Sequence, residues 1–261
     1  MATFFYKNSK GKRVCRCTSI INLLGYNKNF LMRWALEKGD KAKTIQKDAC
    51  DIGTFIHELI EAFIKNKDYN EMLKSAPFEF MVVGQTALDN FKKWFDVVKP
   101  EFVEIEYTII SELRNWGGTA DFIARIPQEV EYNGVLYKPG LYLGDFKTSK
   151  SVYREHLVQM SGYIQGVQEI VNMDHKTKED IIRNNSENPY LKNLSLNPYP
   201  DLKNETILIH INKDVTKESE EVIKPYIIPA DIMDMAREDW EIALAMNERK
   251  NIFNKFFKSL K

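Results

Sequence analysis

Two apolar, strand-like stretches carry charged residues that packing does not require: GGTADFIARI at 117–126 and LYLGDFKTSK at 141–150. Asp121 lies in the first, and Asp145 and Lys147 lie in the second. Alternation along a strand puts Asp145 and Lys147 on one face. Two carboxylates and an ammonium at the end of a sheet suit metal-assisted hydrolysis of a phosphodiester. The carboxylates would hold a hard cation through oxygen. The lysine would orient or deprotonate the attacking water. Asp-x-Lys or Glu-x-Lys also occurs at Asp174–Lys176, Asp201–Lys203 and Glu248–Lys250, where it reads as solvated surface charge. Residues 145–147 differ in context. They close a β-type run of Leu141, Tyr142 and Leu143, where charge is out of place. The short polar Thr148 and Ser149 follow, and either bind phosphate oxygens or end the strand. A purely structural reading makes Asp121 a turn-facing aspartate, or pairs both carboxylates with Lys147 in a salt bridge.

Other residues could join this chemistry. His57 sits beside the apolar stripe of a helix, so it is either a core-edge residue or a metal ligand. Glu58 and Glu61 nearby could fix which ring nitrogen is free. Gln159 and Tyr163 are four apart and share a helical face. Tyr163 either packs with Met160, Ile164 and Val167 or joins Gln159 in binding a phosphate.

Taken in order, these residues resemble the RecB-like branch of the PD-(D/E)XK nucleases. That branch includes phage exonucleases, the mitochondrial genome maintenance exonuclease and the CRISPR-adaptation nucleases. The matched pattern is Gly53-x-x-x-His57, a strand glutamate at Glu106, Gly118-x-x-Asp121, Asp145-x-Lys147 and Gln159-x-x-x-Tyr163. The stretch 17–39 resembles, more loosely, the helical entry segment of the phage and mitochondrial exonucleases. The resemblance implies an α/β fold with a central mixed sheet flanked by helices and an N-terminal helical segment. It implies a Mg²⁺- or Mn²⁺-dependent DNA exonuclease of recombination, repair or replication. The alternatives are a structure-specific endonuclease, or an inactive DNA-binding protein on the nuclease fold. His57, Asp121, Asp145 and the backbone carbonyl of Phe146 become the implied metal ligands. Glu106, Asp121, Asp145 and Lys147 become the catalytic set. Thr148, Ser149, Gln159 and Tyr163 become substrate contacts. Glu104 is two before Glu106 and shares its expected face, so preferring Glu106 rests on the resemblance. DNA is the implied partner, with a recombination or replication protein as a further one. A histidine ligand favours Mn²⁺ beside Mg²⁺.

Composition adds bounds. Lys plus Arg equals Asp plus Glu at 37 each, so nucleic-acid binding would need a local basic patch. Lys38, Lys41, Lys43 and Lys47 precede the His57 helix and could line a DNA path. Phe30, Trp34 and Trp116 could stack on bases, although Trp34 also reads as packing against Leu31 and Leu36. Cys15, Cys17 and Cys50 make no disulfide framework. Some members of the resembling branch hold an iron–sulfur cluster on four cysteines, three of them near the C-terminus. No cysteine follows Cys50, so no cluster is expected, and Cys15 and Cys17 read as thiols on a short strand. No apolar run reaches transmembrane length and no secretory signal is evident, so a cytoplasmic protein is expected; the resemblance to phage exonucleases implies a phage-encoded protein acting in the host cytoplasm as one form of this.

The elements that must position the site follow from periodicity. Residues 1–261 read as one domain: a helical part at 17–100, the core at 101–173, an insertion loop at 174–204, and C-terminal strands and a helix at 205–261. A hairpin is expected over 2–8 and 12–17. Helices are expected near 18–24, 29–38, 52–66, 79–98, 153–173 and 229–254. Strands 102–113, 118–127, 130–137 and 141–148 should form a meander turned at Asn133–Gly134. Two more strands are expected at 205–212 and 221–228.

Overall fold

The computed structural model describes residues 5–188, 191, 194–213 and 222–260. Its centre is a six-stranded mixed sheet with helices on both faces, the α/β architecture expected from the sequence. The chain begins with β1 (Cys15–Arg16), α1 (Cys17–Ile21), α2 (Lys28–Lys38), α3 (Ala42–Ile64), α4 (Asn70–Ser75) and α5 (Phe78–Val98). β2 (Glu101–Ser111), β3 (Trp116–Ile126), β4 (Val130–Tyr132), β5 (Val135–Tyr137) and β6 (Gly140–Lys147) follow. Then come α6 (Arg154–Val171), α7 (His175–Asn185), β7 (Leu202–Ile211), β8 (Ile223–Ile228) and α8 (Ala230–Ser259).

β2, β3 and β6 are antiparallel neighbours, whereas β6 and β7 are parallel. A parallel pair needs a long crossover, and α6 and α7 lie within it. One edge of β3 carries β2 along most of its length. The other edge is divided: β1 pairs with Trp116 and Gly117, and β6 pairs with residues 122–126. Residues 118–121 have no paired strand there among the described residues. β3 and β6 therefore part just beyond the Phe122–Gly144 pair, and Asp121 and Asp145 are the next residues on each side.

Each face of the sheet has its own core. Leu141 and Leu143 of β6 pack with Val158, Ile164, Val167 and Trp240 of α6 and α8. The alternate residues Tyr142 and Phe146 pack with Ile56, Ile60, Phe91 and Trp94 of α3 and α5. Burial on both faces explains why β6 and β7 read as nearly continuous apolar runs.

Several expectations need correction. The predicted N-terminal hairpin reduces to a Lys7–Arg13 bridge, and Cys17 opens α1 instead of ending a strand; residues 2–4 lie outside the described residues. The meander is interrupted. β4 and β5 pair only with each other, through the predicted Asn133–Gly134 turn with φ of 49° and 74°. Tyr137 draws this small hairpin toward α5, where its hydroxyl accepts from Trp94 Nε1 at 2.9 Å. α3 starts ten residues before its apolar stripe: nothing in 42–51 breaks a helix, so it propagates backwards from the packed turns. The expected loop at 174–204 opens with α7, where Asp174 caps by accepting from Thr177 N at 2.9 Å. Trp116 is buried edge-on against Trp240 and cannot stack on a base. Trp34 is not packed as expected, since Leu31 and Leu36 are exposed and α2 buries no residue. Among the described residues no helix is long and apolar enough to cross a membrane.

Candidate active site

The fork between β3 and β6 brings most of the chemistry-bearing residues together. Asp121 Oδ2 accepts the Phe146 backbone N–H at 2.6 Å, which ties the two strands where their ladder ends. Asp145 is 2% exposed, and its carboxylate meets the Lys147 ammonium. The shared strand face predicted for this pair is what lets them meet. Lys147 Nζ also donates to Gln159 Oε1 at 2.8 Å, and Gln159 Nε2 donates to the Tyr163 hydroxyl at 3.0 Å. An unbroken relay thus runs from Asp145 through Lys147 and Gln159 to Tyr163. From the opposite face, α3 presents His57, whose Nδ1 stands 3.6 Å from Asp121 Oδ2 and whose ring meets Phe146 edge-on.

Glu106 lies across the β2–β3 ladder from Asp121, between the pairs Ile105–Phe122 and Tyr107–Ala120. Its φ of +58° is unusual for a strand residue other than glycine. Strained backbone of this kind persists only where the surroundings hold it, and it gathers at functional sites. Glu104 is turned elsewhere: it accepts from Ser195 Oγ at 2.8 Å and also from the Tyr199 hydroxyl. The two glutamates therefore do not share a role.

A cleft of about 1610 Å³ opens over this group. His57, Glu106, Asp121, Phe146, Lys147, Thr148 and Ser149 line its floor, and Glu58 and Glu61 join them. Asp145, Gln159 and Tyr163 stand behind that floor. Tyr163 is 3% exposed, so it faces Gln159 and the core rather than the cleft. Its ring also occupies the space over Gly118, where a Cβ would come within 2.5 Å of Cε1. The Gly118-x-x-Asp121 spacing thus has a packing cause. Ser149 Oγ is taken by the Ser151 carbonyl at 2.7 Å. Lys38, Lys43 and Lys150, with Phe30 and Trp34, line the walls.

The electrostatics show a site short of positive charge. Burial pushes the Asp145 carboxyl up to about 7, and the neighbouring Asp121 adds to the shift. Burial also raises Asp121, against the pull of Lys147. Glu106 is pushed up to about 8 by burial and then by Asp121. Burial holds His57 down to about 4, so it is a neutral imidazole at ordinary pH, the form that ligates metal. Burial alone would lower Lys147, but Asp145 and Asp121 outweigh it and raise it.

As the side chains stand, no group of three or more His, Cys, Asp or Glu among the described residues converges on one ion position. Asp145 is held by Lys147 instead. The donor chemistry nevertheless fits a hard divalent cation: crowded, buried carboxylates beside a neutral imidazole, with too little cationic charge to balance them.

The relay makes a distinct expectation for Tyr163. Tyr163→Phe should keep the fold and lower any catalysis at this site about tenfold, because Gln159 loses the group that aims it at Lys147. Tyr163→Ala should instead cost about 3–5 kcal/mol of stability by opening a cavity. Full activity of Tyr163→Phe on every substrate, measured beside its melting curve, would leave the phenol with packing alone.

Sequence reasoning missed Lys213, which lines the cleft beyond the end of β7. The usable signal was topological: ligands gather outside the carboxyl ends of parallel strands, and β6 and β7 are such a pair. In comparisons with known proteins, no family model matches the chain and no curated protein matches it.

Proposed function

We propose that this protein is a Mg²⁺- or Mn²⁺-dependent DNA exonuclease of the RecB-like PD-(D/E)XK type. One observation carries the reading: the buried Asp145, the part-buried Asp121 and a clamped lysine meet at a strand fork, beside His57 and beneath an open cleft. Asp121, Asp145, His57 and the Phe146 carbonyl would hold the ion. When bound, it neutralises the scissile phosphate and lowers the pKa of a water. Lys147 is fixed between Asp145 and Gln159, so its ammonium has one direction in which to orient the attacking water. Glu106 lines the cleft across from Asp121, where its carboxylate would accept a proton from that water. Lys38, Lys43 and Lys150 supply the local basic wall that a chain of zero net charge needs to hold a phosphate backbone. A recombination or replication context, and a cytoplasmic location, belong to the same proposal.

The test is incubation with end-labelled single- and double-stranded DNA in Mg²⁺, Mn²⁺ or EDTA. Mononucleotide release that needs the metal supports the exonuclease. Internal cuts point to the endonuclease alternative, and binding without cleavage points to an inactive binder.

His57 has its own expected result. His57→Ala should weaken Mn²⁺ affinity at least tenfold and recover part of its activity at raised Mn²⁺. Unchanged metal dependence together with lost stability would make His57 a core residue.

A further inference from the structure

Among the described residues of the cleft, Lys213 is the one cation whose situation the catalytic reading does not use. It follows β7, and its Nζ donates to the Ala49 carbonyl of α3 at 2.7 Å. An ammonium has three donors, so two remain. Among the described residues no carboxylate pairs with it. It is half-buried, and burial lowers its pKa against a smaller upward pull from Cys50.

The Thr148 hydroxyl stands close by. A Cβ on Gly53 would come within 2.6 Å of Thr148 Oγ1 and 4.0 Å of Lys213 Nζ. The bare backbone of α3 at Gly53 therefore lets a hydroxyl from β6's end and an ammonium from β7's end approach the same spot. No protein partner among the described residues takes that hydroxyl. Both groups line the cleft, as do Gly53 and His57. A donor hydroxyl and an ammonium with no carboxylate partner among the described residues, both lining the open cleft, suit a phosphate oxygen. The carboxylates at the fork would repel such an anion, which displaces it toward these two groups.

We infer that Lys213 and Thr148, meeting over Gly53, form a phosphate subsite that grips the DNA backbone beside the scissile position. This rests on the nuclease reading and adds a substrate-binding residue to it. A phosphate contact positions the strand and carries no sequence information, so the effect should be the same for every sequence.

The test is binding of a fluorescent single-stranded oligonucleotide in EDTA, over a series of salt concentrations, so that no cleavage intervenes. Lys213→Gln should weaken binding about tenfold and lower the log–log salt slope by about 0.7, the loss of one phosphate contact. Lys213→Arg should keep the slope. Gly53→Ala should weaken binding in the same direction by displacing Thr148. An unchanged affinity and slope in Lys213→Gln, with wild-type protein that binds and cleaves, would overturn the subsite and leave the nuclease reading standing. Wild-type protein that neither binds nor cuts DNA would overturn both.

Discussion

Asp145→Asn is expected to lower DNA cleavage by at least about a thousandfold, some 4 kcal/mol of transition-state stabilisation, while the fold survives. Asp145 faces Lys147 on its own strand and Asp121 across the fork, so the substitution removes a proposed metal donor and the anchor of the lysine together. Its effect on stability is smaller because two consequences oppose. Lys147 loses a buried counter-ion, which is destabilising. Asp121 loses a buried like charge, which is stabilising. A melting temperature within about 5 °C of wild type is therefore expected. Cleavage assays on folded, pure variant check the first part, and calorimetry checks the second. Undiminished cleavage would remove Asp145 from the chemistry.

The second large effect is on stability against pH. The Asp145 and Glu106 carboxyls ordinarily titrate at 3.8 and 4.5 and are raised in the folded protein to about 7 and about 8. Between those limits these two groups bind more protons in the folded state than in the unfolded one. Burial holds His57 and His156 down to about 4 and about 3, which acts in the opposite sense below about pH 6.5. Stability without metal should therefore change little from about pH 4 to 6.5 and fall as pH rises from there toward 8. Glu106→Gln removes one of these acids. It should match wild type near pH 5 and exceed it at pH 8.5 by on the order of 2 kcal/mol. Mn²⁺ should stabilise wild type more at pH 8.5 than at pH 5, since only the ionised carboxylates bind it well. Urea denaturation in EDTA and in Mn²⁺ at both pH values measures this. Stability that rises with pH above about 6.5 in EDTA would show that these carboxylates are compensated within the protein.

Much of the site was legible because strand alternation and helix periodicity are local. Asp145 and Lys147 share a face by strand geometry, and Gln159 and Tyr163 share one by helix geometry; both pairs are in contact. What periodicity could not show is depth. Tyr163 had a packing role and a polar one open to it, and it takes both, buried with its hydroxyl on Gln159. Glu106 and Glu104 were alike in strand position, and the positive φ at Glu106 that separates them has no sequence mark. Trp116 looked available for stacking, but its burial depends on Trp240, more than a hundred residues away. The β4–β5 hairpin was recognisable from Asn133–Gly134, yet its departure from the main sheet depends on Tyr137 meeting Trp94 of α5. α7 was hidden in a stretch rich in Asn and Lys, where one aspartate cap and few apolar residues gave little signal. Lys213 was invisible for a simpler reason: only the parallel pairing of β6 and β7 brings it beside Thr148.

On the proposed function, an ion held at the β3–β6 fork drives the cleavage. The most direct measurement titrates Mn²⁺ into the protein at pH 8 and follows bound ion by electron paramagnetic resonance. Cleavage of end-labelled DNA is read in the same samples. Bound Mn²⁺ and cleavage should rise along one curve in wild type, and Asp145→Asn should lose both. Cleavage that persists in EDTA, or Mn²⁺ that binds as tightly to Asp145→Asn as to wild type, would contradict the account.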